Sequence, residues 1–191
     1  RRAVANRRAT SYSNFRGLVI LVQFSDNEFS RPDYPQIAED MLNTTNYTGY
    51  ENEVYTGSVR DYFSDISGGR FQPQFDVVGP VTVNYKQNDG RNKYREIACA
   101  ALDAIDEDVD FSLYDGDKDG YVDLVYFLIA GNGSNYGGNN SGLWWPHRSV
   151  IYKNNAYVVK DGVTFWDYAS SVELYGWTST PSSVIIDGIG T

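Results

Sequence analysis

The chain has 191 residues, 41% of them hydrophobic, and a formal net charge of -9. That length and apolar content suit one packed domain and exclude a disordered chain. The acidic balance repels phosphate backbones and excludes nucleic acid as the expected partner, and no run approaches the roughly 18 apolar residues of a membrane helix.

Arg1, Arg2, Arg7 and Arg8 fall within the first eight positions. Residues 1–14 are therefore expected to form a flexible basic arm. This start lacks an apolar h-region, so a secreted form is expected to have lost its signal peptide already. Residues 17–24, Gly-Leu-Val-Ile-Leu-Val-Gln-Phe, make a nearly continuous apolar run. Such a run predicts a central strand covered on both faces. Pro35–Leu42 predicts a short helix, and Asn43–Asn52 a polar loop. Val59, Tyr62, Phe63 and Ile66 recur at helical spacing, with Ser58 as N-cap and Gly68-Gly69 as the stop.

Phe71–Val78 alternates as a strand that Gly79-Pro80 is expected to end, and Val81–Tyr85 predicts a second short strand. Lys93–Ile105 places Tyr94, Ile97, Ala98, Ala101, Leu102 and Ile105 on one helical face. Cys99 lies in this stretch and is the single cysteine, so no internal disulfide forms and a buried, inert thiol is expected. Tyr121–Ala130 predicts a second buried strand. Gly131–Gly142 is a Gly/Asn/Ser loop. Residues 149–159 and 163–174 flank Lys160-Asp161-Gly162 and predict a β-hairpin. Pro181-Ser182-Ser183 is a helix start, and the apolar run from Val184 is expected to be a helix cut near its beginning at Thr191.

The strongest chemical signal is Asp115-Gly-Asp117-Lys-Asp119-Gly120-Tyr121-Val-Asp123. Oxygen donors at loop positions 1, 3, 5 and 9, with Gly at 6 and the Tyr121 carbonyl at 7, match a calcium loop. The carboxylates repel one another and Lys118 offsets one charge, so a divalent cation relieves the strain. Position 12 is Tyr126 rather than a bidentate Glu, and a strand follows rather than a helix. A structural calcium site is expected, not a sensor. The Trp144-Trp145-Pro146-His147 segment follows the Gly-rich loop. With one His and one Cys in the chain and no H-E-x-x-H, no zinc site can be assembled from this sequence. A structural hydrogen-bonding role is expected for His147.

Taken in order, Gly17–Phe24, Gly57-Ser-Val-Arg-Asp-Tyr-Phe-Ser-Asp-Ile-Ser-Gly-Gly-Arg70, Val78-Gly79-Pro80, Asp115–Asp123, Ala130-Gly131-Asn132-Gly133 and Trp145-Pro146-His147 resemble the immune inhibitor A family of secreted bacterial zinc metallopeptidases. The resemblance implies an α/β fold, the zincin-like upper subdomain, with a twisted mixed sheet backed by helices. It implies that 15–191 is the amino-terminal portion of a catalytic domain, ending at the start of the active-site helix. In that family the helix carries H-E-x-x-H, whose His residues bind zinc and whose Glu activates a water. No catalytic or zinc residue can be carried onto this chain. Zinc is thus expected only in the full-length domain, and this chain alone is expected to be inactive. A protein or peptide substrate is the implied partner, held as an added strand on a sheet edge. Trp144, Trp145 and His147 are the candidates for cleft lining. Exposed core left by truncation could promote self-association. The competing reading is a calcium-stabilised extracellular adhesion or carbohydrate-binding module, supported by the acidic, Tyr/Trp-rich composition.

Overall fold

A computed structural model describes residues 15–50, 54–136 and 142–174. The basic arm at 1–14, the middle of the Gly-rich loop and the expected helix start from Pro181 lie outside the described residues. The elements run β1 (Arg16–Phe24), α1 (Tyr34–Asn43), α2 (Val59–Ile66), β2 (Gln74–Val83), α3 (Tyr94–Ala104), β3 (Val125–Asn132), β4 (Arg148–Val150), β5 (Tyr152–Lys153), β6 (Ala156–Lys160), β7 (Val163–Phe165) and β8 (Asp167–Leu174). They build an α/β fold around a five-stranded mixed sheet of order β2-β1-β3-β8-β4, beside a three-stranded sheet β5-β6-β7. In the larger sheet β2, β1, β3 and β8 run parallel, and β4 pairs antiparallel with β8 at one edge.

The apolar run of β1 explains its place. Side chains alternate across a strand, so a strand that is apolar at every position needs cover on both faces. Leu18, Ile20, Val22 and Phe24 enter one core with Ile97, Ala98, Ala101 and Leu102 of α3. Val19 and Leu21 enter a second core with Tyr34, Ile37, Ala38, Met41 and Leu42 of α1. Each fully buried aliphatic side chain contributes roughly 1.5–3 kcal/mol. The helix face predicted around Ile97 and Leu102 is buried as expected, and Cys99 is buried with it.

Three expectations need correction. Gly79-Pro80 does not end a strand: β2 runs through it to Val83. Ile20 pairs with Val78 and Val22 with Val81, so Gly79 and Pro80 together oppose Leu21 in a bulge. An edge strand tolerates Pro at such a bulge, because its missing N–H is not needed in the ladder. Gly79 adopts φ 104°, and a Cβ there would sit 2.8 Å from the Leu21 carbonyl oxygen. Secondly, α2 forms where predicted, with a capping box between Ser58 and Asp61, but two residues of its apolar stripe face outward. Tyr62 and Ile66 are 61% and 63% exposed. Short helices need one packed edge only, and Phe63 supplies it by meeting Phe71 edge-on at 5.5 Å.

Thirdly, the region after 148 is more divided than one hairpin. β6 and β7 form the predicted pair around Asp161-Gly162, both at positive φ as a tight two-residue turn requires. Farther from the turn the two arms pair again as β4 and β8, which join the main sheet, while β5 folds back within its own arm to pair with β6. Tyr121 also falls outside β3 and forms an isolated parallel bridge with Thr164. Among the described residues no helix is long and apolar enough to cross a membrane.

Candidate functional site

The acidic loop leaves a short 3-10 turn, Phe111–Tyr114, and leads toward β3. Asp110 starts the turn, its carboxylate accepting from the Ser112 N–H at 3.0 Å. Lys118 takes φ 57° and Gly120 φ 85°, which folds the backbone back on itself. Asp115 accepts from the N–H groups of Asp119 at 3.0 Å and Gly120 at 2.9 Å. Asp119 accepts from the Tyr121 N–H at 3.1 Å.

These bonds bring carboxylates together. One oxygen each from Asp115, Asp117 and Asp119 lies within 4.8 Å of the others. Oxygens sharing one calcium at about 2.3–2.6 Å can be separated by at most about 5 Å, so the three fit a single ion. Among the described residues this is the one such grouping of metal-binding side chains. Asp123, expected as a fourth donor, stands outside the triad and accepts from the Gly116 N–H at 2.9 Å. Burial raises its carboxyl above the usual range, offset by the Gly116 bond and reinforced by the charges of Asp117, Asp115 and Asp119. At Tyr121 the structure makes a bridge using the Gly120 carbonyl and the Val122 N–H, at 2.9 and 3.0 Å from Thr164. The loop is thereby fastened to β7.

The second sequence-singled segment divides into an inside and an outside. Trp144 is 1% exposed, and its indole N–H donates to Ser170 Oγ at 2.9 Å. Trp145 is 48% exposed, with the Arg91 guanidinium 5.8 Å from its ring centre. The His147 ring lies beside Trp144, with ring centres 5.5 Å apart, and against Tyr168 of β8 at 5.4 Å. Its Nε2 meets Tyr168 Oη at 2.9 Å, and its Nδ1 meets the Trp145 carbonyl. A neutral ring protonated at Nδ1 satisfies both contacts, donating to the carbonyl and accepting from the phenol. Burial pushes the Tyr168 phenol far above its usual range, so it stays a donor. Tyr94 closes on the same imidazole edge-on at 5.0 Å. Zinc does not fit the described residues: both ring nitrogens of His147 are engaged and Cys99 is buried in the core.

Glu173 escaped the sequence reading. It is fully buried on β8 and accepts from the Ser30 N–H, the Ser30 hydroxyl and the Gly131 N–H. Its one sequence signal is a lone carboxylate between Val172 and Leu174, in a stretch Tyr168–Leu174 with no other charged residue, where a buried charge needs strong donors.

β4 carries the segment to the sheet edge. It follows His147 directly, and its Ser149 and Val150 pair with Tyr168 and Asp167. Among the described residues no other strand of the five-stranded sheet lies beyond it. No protein-family model matches the chain, and a search of curated proteins finds no match.

Proposed function

We propose that this chain is the amino-terminal portion of a secreted, calcium-stabilised zinc endopeptidase domain that resembles the immune inhibitor A family. The observation that carries the reading is β4, the antiparallel edge strand of the mixed sheet, placed directly after Trp145-Pro146-His147. An unpaired strand edge offers main-chain donors and acceptors to an extended peptide, which adds as a further strand. Asp167 anchors this edge through its ion pair with Arg148. The chain's own part is then to hold a peptide in register, while Asp115, Asp117 and Asp119 hold calcium and fix the loop against β7. Zinc supplies water activation in the family, and its ligands are not among the described residues. No step is assigned to residues of this chain.

The test is made on the product of the complete gene that encodes this chain. An H-E-x-x-H soon after Thr191, about one bound zinc per molecule, and casein hydrolysis lost on chelation are the expected results. A complete product that binds no zinc and leaves casein intact rules the reading out.

A further inference from the structure

The open edge of β4 resolves into individual main-chain groups. Ser149 stands opposite Tyr168 and Val150 opposite Asp167, and one step on the Ile151 N–H donates to the Trp166 carbonyl at 3.1 Å. Opposed residues of an antiparallel pair alternate between hydrogen-bonded and non-hydrogen-bonded positions. Ile151 and Ser149 therefore turn their main-chain groups toward β8, while Arg148 and Val150 turn theirs to the free side. Two steps before Ser149 the Ser170 hydroxyl takes over the ladder. It accepts from the His147 N–H at 3.3 Å and donates to the His147 carbonyl at 3.0 Å. The free side thus presents the N–H and C=O of Arg148 and of Val150, about 6.8 Å apart along the strand, which is the spacing an added peptide strand needs.

Positive charge gathers beside this edge. Arg91 lies 5.8 Å from the centre of the half-exposed Trp145 ring. Arg95 lies 5.3 Å from the Tyr94 ring, which in turn meets His147. Neither guanidinium is joined to a carboxylate among the described residues. The nearby acids Asp89 and Asp167 are taken by Lys93, at 3.0 Å, and by Arg148. Arg91, Lys93, Arg95 and Arg148 thus face Asp89, Glu96 and Asp167, a local excess of positive charge on a chain whose total is -9. Charges farther away than about 10 Å are screened at 0.1 M salt, so the local excess governs contact.

Arg91 is also fixed to the Trp145 segment. Its N–H donates to the Gly142 carbonyl at 2.7 Å. Gly90, just before it, packs so closely that a Cβ there would meet the Trp144 nitrogen at 2.7 Å. A guanidinium with unspent donors, held over an aromatic ring, fits a carboxylate through two parallel hydrogen bonds. Trp145 lies three residues before Arg148, so a strand added along β4 passes within about 10 Å of it.

We infer that β4 accepts an extended peptide carrying an acidic side chain, with the peptide main chain on Arg148 and Val150 and its carboxylate on Arg91 beside Trp145. The inference rests on the peptidase reading for the edge itself and adds the class of peptide that the edge selects.

The test is titration of the purified chain with three short end-capped peptides, alternating Thr and Val, that carry Glu, Gln or Lys at the same two positions. Backbone amide shifts follow binding. Saturable shifts at Arg91 and along 145–150 are expected with the Glu peptide. It is expected to bind about threefold or more tighter than the Gln peptide at low salt, with the Lys peptide weakest and the difference shrinking as salt is raised. Arg91→Glu is expected to reverse the order without altering the melting temperature. Val150→Pro removes an N–H from the free side and none from the ladder with β8, and is expected to weaken all three peptides alike, by about two- to tenfold. Tyr62→Ala, on α2, is expected to change nothing. Equal affinity for the three peptides at low salt, or an order that Arg91→Glu leaves unchanged, overturns the acidic-peptide inference and leaves the edge reading in place. No saturable binding by any peptide, binding that Val150→Pro leaves intact, or binding of a single-stranded oligonucleotide and of no peptide overturns both.

Discussion

Glu173 and Ser30 stand 143 positions apart in sequence, yet Ser30 gives Glu173 both its backbone N–H, at 2.8 Å, and its hydroxyl, at 2.5 Å. The same carboxylate takes the Gly131 N–H at 2.8 Å, so one buried group links the segment after β1 to the ends of β3 and β8. Hydrogen bonds to a charged group contribute about 1.5–3 kcal/mol each. Ser30→Ala is expected to destabilise the chain by an amount in that range in urea unfolding. Glu173→Ala is expected to cost more, since three donors lose their acceptor. An unchanged unfolding midpoint in Ser30→Ala contradicts this account.

Calcium is expected to raise the melting temperature. At a free concentration about 100 times the dissociation constant, the stabilisation is about 2.7 kcal/mol, or roughly 5–10 °C for a chain of this size. The double variant Asp117→Asn, Asp119→Asn is expected to lose most of that shift. Coincident melting curves in EDTA and in excess calcium are the result that removes the site.

Adjacent tryptophans are expected to behave oppositely. Trp144→Ala opens a cavity in the core and removes the indole bond to Ser170, which keeps its bonds to the His147 backbone; the cavity predicts a loss of about 3–5 kcal/mol. Trp145→Ala removes only a half-exposed ring beside Arg91, within about 1 kcal/mol. Paired denaturant curves separate the two, and equal losses contradict the assignment of inside and outside.

The α2 cap sets a pH dependence. Hydrogen bonding from the Ser58 N–H holds the Asp61 carboxyl below its ordinary value, opposed by desolvation and aided by the N–H groups of Asn46 and Tyr47. A depressed folded-state value means the cap's contribution is complete above the unfolded value of about 3.9 and is lost as pH falls through the lower folded value. The wild-type melting temperature is therefore expected to fall across this acidic window more than that of Asp61→Asn. Parallel curves for the two proteins speak against the cap.

Local patterns were legible in the sequence where one physical demand acted alone. The unbroken apolar run of β1, the single-faced stripe of α3 and the Ser58 cap each require one structure, and each forms. Demands set by distant partners were not legible. Gly79-Pro80 reads as a stop, but the close approach of the Leu21 carbonyl turns it into a bulge inside one strand. The stretch 149–174 alternates like a hairpin and its two arms do pair, through β4–β8 and β6–β7, while the second arm is also drawn to β3 by parallel pairing that no local window contains. The Asp115–Asp119 clustering follows from its spacing and turn-forming Gly. Glu173 could not be ranked because its donors, Ser30 and Gly131, are far away in sequence.

Because β1 is a wall common to two hydrophobic cores, neither face can open without exposing the other side of the same strand. Its amides have no local fluctuation that reaches solvent more cheaply than global unfolding. Hydrogen exchange is therefore expected to be slowest along Leu18–Val22 and to report the free energy of the whole domain, while the exposed turns of α2 are expected to exchange by fraying. The same shared wall joins the α1 and α3 layers into one cooperative unit.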